Sequence, residues 1–169
     1  MPIEIERKFL IRLPDPAILS AMEGYRVRRI TQTYLRPIKG SDTERRVRKI
    51  EEDGHVIYVF TKKENITKMT RREDEREIDA AEYLDALREA YSSLTKTRFS
   101  FPYEKHVIEI DVYPSEIGGP ELEGYAVLEV ELASEGEDFS LPPFIEVVEE
   151  LTGTRKFSNK ALAKRVEKA

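Results

Sequence analysis

Two carboxylates and one ammonium alternate near the start of the chain, where residues 3–11 read I-E-I-E-R-K-F-L-I. Successive side chains of a β-strand point to opposite faces, so a strand here would place Glu4, Glu6 and Lys8 on one face. Two carboxylates two residues apart can bind a hard divalent cation, and the neighbouring ammonium can hold an anion that the cation brings. For this segment alone, a half-exposed strand is the simpler explanation. Chemistry becomes the better explanation because the pattern returns in later strands.

Charged residues recur on one face of most of the later predicted strands, and both signs are well represented. The acidic residues of this set are Glu4, Glu6, Glu73, Glu75, Glu77, Glu109, Asp111, Glu129 and Glu131. The basic residues are Lys8, Arg46, Arg48, Lys62, Arg71, Lys96 and Arg98, with Arg36 and Lys105 near the strand ends. Surface pairing with acids on a neighbouring strand could explain any one of these charges. Their repetition over many strands instead predicts one shared site.

Alternating segments predict eight strands, with a few helices between and after them. The strands cover residues 3–11, 25–36, 45–50, 55–63, 70–78, 95–101, 105–113 and 125–133. The helices cover residues 16–22, 79–92, 144–151 and 159–168. Mostly short connections favour an antiparallel sheet, and closure into a barrel would leave no exposed edges. We therefore expect one α+β domain over residues 1–169, an eight-stranded antiparallel barrel with helices packed outside.

The charged faces of these strands are expected to line the inside of the barrel, because helices can cover the apolar faces from outside. A dry interior with this many charges would be unfavourable, so we expect a water-filled channel that holds a charged ligand. Arginine and lysine favour a polyanion such as a polyphosphate. The carboxylates tolerate that anion only if divalent cations lie between them. A polyphosphate with Mg²⁺ or Mn²⁺ satisfies both sets, and a second cation can lower the pKa of an attacking water.

Composition excludes several other classes of function. The net charge of -5 argues against nucleic acid as the main partner. The chain has no cysteine and two histidines, which argues against disulfides, thiolate metal sites and a histidine-rich zinc site. No apolar segment is long enough to span a bilayer, and the N-terminus begins with a strand pattern instead of a signal peptide. These features are typical of a cytoplasmic protein without a membrane partner.

The ordered set of motifs resembles the CYTH or triphosphate tunnel metalloenzyme superfamily. E-I-E-R-K at residues 4–8 is similar to the ExExK signature of that superfamily. Further similar motifs are Q-T-Y-L at 32–35, R-V-R at 46–48, Lys62 at the end of its strand, R-R-E-D-E-R-E-I at 71–78, K-T-R at 96–98, E-I-D-V-Y at 109–113, L-E-V-E-L at 128–132 and K-F-S-N-K-A-L-A at 156–163. Each motif alone is weak, but their order over nearly the whole chain is specific. The resemblance implies an eight-stranded antiparallel tunnel that binds triphosphate with a divalent metal.

The resemblance also implies roles for individual residues. Glu4, Glu6 and Glu129 would hold the substrate-bound metal. Asp111 and Glu131 would join Glu6 around a second metal and the attacking water, which makes these three the expected catalytic residues. The expected substrate-binding residues are Lys8, Arg46, Arg48, Lys62, Glu73, Glu75, Lys96, Arg98 and Lys160. Phe157 stands where the family often has tyrosine, so a hydroxyl role there is not expected.

The resemblance implies a metal-dependent triphosphatase, with inorganic tripolyphosphate the favoured substrate and pyrophosphate and phosphate the products. The absence of tryptophan removes one stacking surface for thiamine or a base, which mildly favours the inorganic substrate. One alternative is a class IV adenylate cyclase, which would convert ATP to cyclic AMP. Another is a non-catalytic polyphosphate- or nucleotide-binding module. The sequence leaves a monomer and a homodimer equally open.

Overall fold

A computed structural model describes residues 2–166 of the 169-residue chain. In chain order its elements are β1 (Ile3–Arg12), α1 (Pro16–Ser20), β2 (Arg26–Leu35), β3 (Glu44–Glu52), β4 (His55–Asn65), β5 (Thr70–Ile78), α2 (Ala80–Ala86), β6 (Ala90–Tyr103), β7 (His106–Val112), α3 (Ser115–Gly118), β8 (Tyr125–Leu132), β9 (Val147–Glu150), α4 (Asn159–Leu162) and β10 (Lys164–Arg165). Short 3₁₀ turns cover Leu87–Glu89 and Pro120–Leu122. No helix within the described residues is long and apolar enough to cross a membrane.

The first eight strands form a closed antiparallel barrel. Around the ring the order is β1, β5, β4, β3, β2, β6, β7 and β8, and β8 pairs with β1 again. The tight β3–β4 hairpin turns at Asp53 and Gly54, whose φ angles are 49° and 78°. Positive φ angles at both positions are typical of a type I′ turn, which matches the right-handed twist of the two strands. Strands β9 and β10 add short pairings to β1 and β6. The predicted eight-stranded antiparallel barrel with helices outside is confirmed.

The main hydrophobic core lies on the outside of the barrel wall. Outward-facing residues of β1, β6, β7 and β8 form it, and α1 and residues 139–145 cover it. Leu19 of α1 is 1% exposed there, and Leu128 of β8 is fully buried. Burial of each such side chain stabilises the fold by about 1.5–3 kcal/mol. The helices and the long segment after β8 therefore cover the barrel wall and leave its interior free.

The two outer helices begin where the sequence predicts them. The Asp15 side chain accepts a hydrogen bond from the Ala17 N–H, and Pro16 takes the first helical position. The Asp79 side chain accepts one from the Glu82 N–H. The second helix ends at Ala86 and not near residue 92, because the chain from Ala90 onward pairs with β2 as part of β6. Backbone pairing thus prevails over helical periodicity in this segment.

The C-terminal segment also differs from the helices that were predicted for it. The predicted helix over 144–151 is wrong: Val147–Glu150 is β9, which pairs with the end of β1 that β5 no longer reaches. Its two adjacent valines suit a strand. The predicted helix over 159–168 is limited to Asn159–Leu162 within the described residues, and residues 167–169 lie outside them. Residues 151–163 continue from β9 to the rim of the barrel.

Candidate active site

The charged faces of the strands turn into the barrel, and this brings most of the predicted site residues together. Glu6 faces Glu131 and Lys8 faces Glu129 across β1 and β8. The predicted residues that are buried or half-buried inside are Glu4, Glu6, Lys8, Arg46, Arg48, Glu73, Lys96, Arg98, Asp111 and Glu129. Glu75 and Glu131 lie on the same inward faces at more exposed positions, and Lys160 is exposed at the rim. The strand pattern therefore assembles one internal site from six strands.

A cavity of about 720 Å³ opens at one end of the barrel among these residues. This volume is within the range of small-molecule sites, about 300–1,000 Å³. Its lining includes four acidic and seven basic side chains: Glu6, Asp42, Glu44, Glu129, Lys8, Arg46, Lys63, Lys68, Arg71, Arg155 and Lys160. The cavity is therefore charged, with an excess of positive groups, and suits an anion that carries cations.

The barrel interior is not charged throughout. Ile30, Ile50 and Val59, which face inward from β2, β3 and β4, form a small apolar cluster. Towards the cavity, the facing pairs Gln32–Arg48 and Tyr34–Arg46 follow the pair Ile30–Ile50 along the same two strands. The sequence predicted that the charged strand faces line the interior, and the structure confines the dense charge to part of it.

The carboxylates of β1 and β8 repel one another. The pKa of Glu6 is raised to about 8, mainly by burial and in addition by the negative charges of Glu129 and Glu4. Burial and a hydrogen bond with Glu73 raise the pKa of Glu4, and burial also raises that of Glu131. The pKa of Glu129 is lowered instead, because Lys8 and Arg98 outweigh its burial. Positive charge is therefore insufficient around Glu4, Glu6 and Glu131, whereas Glu129 is compensated by neighbouring cations.

This donor set fits a hard divalent cation, which binds carboxylate oxygens. Within residues 2–166, no group of three or more His, Asp or Glu side chains lies close enough together to hold a metal ion as it stands. Carboxylates that lie close together without enough positive charge have raised pKa values, as Glu4, Glu6 and Glu131 do. Glu4, Glu6, Glu129 and Glu131 are the residues that would hold the cation.

Asp111 occupies a different environment from these carboxylates. Its Oδ1 accepts a hydrogen bond from Arg98 Nε at 2.7 Å, and its Oδ2 accepts from Lys96 Nζ at 2.7 Å and Arg98 Nη2 at 2.9 Å. The Asp111 and Lys96 side chains are each 1% exposed. The structure therefore shows Asp111 holding two cationic groups in place, and its role as a metal ligand stays a prediction.

The structure places Lys63, not Lys62, inside the barrel. Lys62 is exposed on the outer face of β4, whereas Lys63 is buried with its Nζ 3.1 Å from Glu4 Oε2 and 3.4 Å from Glu73 Oε2. The inward position of Lys63 follows from the pairing of β4 with β3, which sets Thr61 opposite Arg46. The expectation that Lys62 lines the site is therefore corrected to Lys63.

Two arginines of β3 supply buried donors. Arg48 Nη2 donates to Glu75 Oε2 at 3.0 Å, while Arg46 lies beside the Tyr34 hydroxyl, which also accepts a hydrogen bond from Gln32. The Nε atoms of both arginines are buried without a partner among the described residues. Burial and repulsion from Arg46 lower the pKa of Arg48 to about 10. An anion inside the barrel would satisfy these two donors.

The segment after β9 completes the rim of the cavity. Arg155, Ser158, Asn159 and Lys160 line it. The sequence predicted Lys160 but missed Asn159, whose Oδ1 accepts hydrogen bonds from Lys96 Nζ at 3.2 Å and from the Tyr113 hydroxyl. The S-N-K-A-L motif was the available signal, but only the fold shows that it meets β6.

The chain belongs to the CYTH domain family, whose family model matches residues 2–164. Proteins of this superfamily depend on metal ions, and their fold binds small triphosphate compounds. A search of curated protein sequences gives no significant match.

Many solved structures resemble this fold, among them the following three. The PH1819 protein of Pyrococcus horikoshii is 24% identical with a TM-score of 0.56, over 79% of this chain and 80% of that one. HpAC1 of Hippeastrum, named for an adenylyl cyclase and described as having a dominant triphosphatase activity, is 14% identical with a TM-score of 0.54, over 77% and 80%. A chain of the Schizosaccharomyces pombe Mediator head module is 11% identical with a TM-score of 0.54, over 81% and 86%. At these identities the likeness concerns the fold alone.

Proposed function

We propose that this protein is a divalent-metal-dependent triphosphatase that hydrolyses inorganic tripolyphosphate to pyrophosphate and phosphate. One observation carries the proposal: Glu6 and Arg46 line the same cavity, and neither group is fully compensated by the protein residues around it. Burial raises the pKa of Glu6 to about 8, and the Nε atom of Arg46 is buried without a hydrogen-bond partner among the described residues. A triphosphate with bound Mg²⁺ or Mn²⁺ would supply both missing charges at once.

The residues of the chain divide the work of binding and hydrolysis. Glu4, Glu6, Glu129 and Glu131 would hold the cation, which when bound supplies Lewis-acid stabilisation of phosphate charge. Lys8, Lys63, Arg46, Arg48, Lys96 and Arg98 would neutralise and orient the phosphates. Glu131 lies across the strand pair from Glu6 at an exposed position, where it can accept the proton of an attacking water. Asp111 would keep Lys96 and Arg98 in position.

The lining of the cavity supports an inorganic substrate over one with an aromatic group. Tyr34 is the one aromatic residue among the described residues that line it, and Tyr34 is 4% exposed. Stacking of a base or of thiamine needs an accessible ring face. Without such a face, binding energy must come from the phosphates and the cation. We expect a cytoplasmic protein that is a monomer or a homodimer.

An assay panel tests the proposal directly. The protein is incubated with Mg²⁺ or Mn²⁺ and tripolyphosphate, ATP or thiamine triphosphate, and free phosphate, pyrophosphate and cyclic AMP are measured. Phosphate and pyrophosphate from tripolyphosphate are the expected products, and chelation of the metal should abolish them. Cyclic AMP from ATP would make the protein an adenylate cyclase. Binding of tripolyphosphate without any turnover would make it a binding module.

A further inference from the structure

We infer that Asn159 is a positioning residue for the phosphate site: its amide oxygen holds Lys96, and its amide NH₂ is presented to the bound anion. This inference rests on the proposed function, because the anion is the triphosphate proposed above. The motif containing Asn159 lies far from Lys96 in the chain, and only the C-terminal segment that runs to the barrel rim brings the two together.

The orientation of the Asn159 amide follows from its neighbours. Lys96 Nζ lies 3.2 Å from Oδ1, and the Tyr113 hydroxyl donates to the same oxygen. An ammonium group can only donate hydrogen bonds, so the amide must turn its oxygen towards Lys96. The Asn159 NH₂ group consequently points away from Lys96, and it forms no hydrogen bond with residues 2–166. Asn159 is half-buried and lines the cavity, so this group is available to a ligand.

The hydrogen bonds of Lys96 show what Asn159 contributes. The Lys96 ammonium has three hydrogens; one goes to Asp111 Oδ2 at 2.7 Å and one to Asn159. The third hydrogen has no hydrogen-bond partner among the described residues, and the Lys96 side chain is 1% exposed beneath Asn159, which itself lines the cavity. Because Asn159 is neutral, it fixes the ammonium without a second negative charge that would repel the anion. An aspartate here would hold Lys96 as well but would oppose the ligand.

The backbone around Asn159 is fixed independently of its side chain. The Ser158 hydroxyl accepts a hydrogen bond from the Ala161 N–H at 3.1 Å, and Leu162 packs with Leu10 and Leu151. Substitution of the Asn159 side chain should therefore leave this short helix in place. This separation makes the inference testable by small changes.

The test compares Asn159→Asp and Asn159→Leu, which have nearly the shape of asparagine, with Asn65→Asp as the matched control. Asn65 lines the same cavity at an exposed position. Tripolyphosphate binding is measured by calorimetry in the presence of Ca²⁺, a hard cation that carboxylates bind, and KM and kcat are measured with Mg²⁺. We expect both Asn159 variants to weaken binding about 10- to 100-fold and to raise KM more than they lower kcat. The control should weaken binding about 2-fold or less, because its charge is screened.

Several outcomes would overturn the inference. Wild-type affinity in both Asn159 variants would overturn the inference but not the proposed function. Equal losses in Asn159→Asp and Asn65→Asp would also overturn the inference, because they would show only a general charge effect. A loss that appears with a lower melting temperature in both Asn159 variants would assign Asn159 a structural role instead. A wild-type protein that does not bind tripolyphosphate would overturn the proposed function as well.

Discussion

The two faces of the same strands are both buried, yet they contain opposite kinds of residue. On β7, Ile110 is fully buried in the outer core, and the next residue, Asp111, is 1% exposed inside the barrel. On β8, Leu128 and Glu129 alternate in the same way. The outer layer is apolar and needs nothing else to be stable. The inner layer is charged, and some of its charged side chains have donor or acceptor atoms without a partner among the residues that the structure describes.

This difference shows which buried region is the candidate site. Burial alone cannot tell, because individual side chains of the two layers, such as Ile110 and Asp111, are about equally buried. The outer layer is closely packed with apolar side chains, as protein cores are. In the inner layer, burial raises the pKa of Glu6 and lowers those of Arg48 and Lys96. The Nε atoms of three arginines there have no hydrogen-bond partner among the described residues: Arg28, Arg46 and Arg48. Unbalanced charge in a cavity indicates a ligand.

Removal of an inner carboxylate should have the largest effect on turnover. We expect Glu6→Gln and Glu131→Gln to reduce tripolyphosphate hydrolysis at least about 100-fold, because each removes a cation ligand or a proton acceptor. The measurement is phosphate release at saturating Mg²⁺, with circular dichroism as a check on folding. Glu82→Gln, on the outer surface, is the control and should retain activity. Normal hydrolysis by the two variants would show that the carboxylate assignment is wrong.

A deletion in the outer layer should affect stability and not chemistry. We expect Leu128→Ala to lower the free energy of unfolding by about 2–5 kcal/mol, because it leaves a cavity among fully buried side chains. Activity per folded molecule should stay close to that of the wild type. Urea unfolding and specific activity are measured together, with Val107→Ala at an exposed position as control. A loss of activity in excess of the loss of folded protein would contradict the separation of the two layers.

Substitution of two adjacent lysines of β4 compares the inner and outer faces of the same strand directly. We expect Lys63→Met to raise KM for tripolyphosphate about 10- to 100-fold, because it removes a buried cationic group that contacts Glu4 and Glu73. Lys62→Met should change KM less than about 2-fold, since Lys62 is exposed on the outer face. Steady-state kinetics of the pair is the measurement. The reverse order of effects would mean that β4 presents its other face to the site.

The smallest expected effect is on the pH dependence of stability, which should come from the charged inner layer and not from the apolar outer layer. Glu6 has a pKa of about 8 in the folded protein against 4.5 ordinarily, so it stabilises the fold below pH 4.5 and loses that contribution as pH rises towards 8. The lowered pKa of Glu129 places its own change below pH 4.5, outside this window. We expect the melting temperature of the metal-free protein to fall between pH 5 and 8.

Two further scans identify the source of that pH dependence. Glu6→Gln should reduce the slope of the melting profile between pH 5 and 8, because its amide does not titrate in this window. The raised pKa values of Glu4 and Glu131 account for the slope that remains. Added Mg²⁺ or Mn²⁺ should raise the melting temperature more at pH 8 than at pH 6, because the cation binds the ionised carboxylate. A flat profile in the wild-type protein would remove the electrostatic argument for the cation.

The sequence by itself determined the fold class and the composition of the inner layer. Strict alternation in β1, β5, β7 and β8 fixes which residues share a face, since successive strand side chains must point to opposite sides. The order of the motifs implied the same barrel and most of the site residues. Asp15 and Asp79 predicted the starts of two helices through their capping side chains.

Only the tertiary structure decided which face of β4 is inside. Both of its faces combine apolar residues with a lysine, so alternation cannot choose between Lys62 and Lys63; the pairing with β3 does. The change from predicted helix to β9 likewise depends on the free edge of β1 beyond β5. Asn159 meets Lys96 only because the C-terminal segment returns to the barrel rim. The local pattern determines which side chains of a strand share a face. Pairing with distant strands determines which face is inside and which residues it meets there.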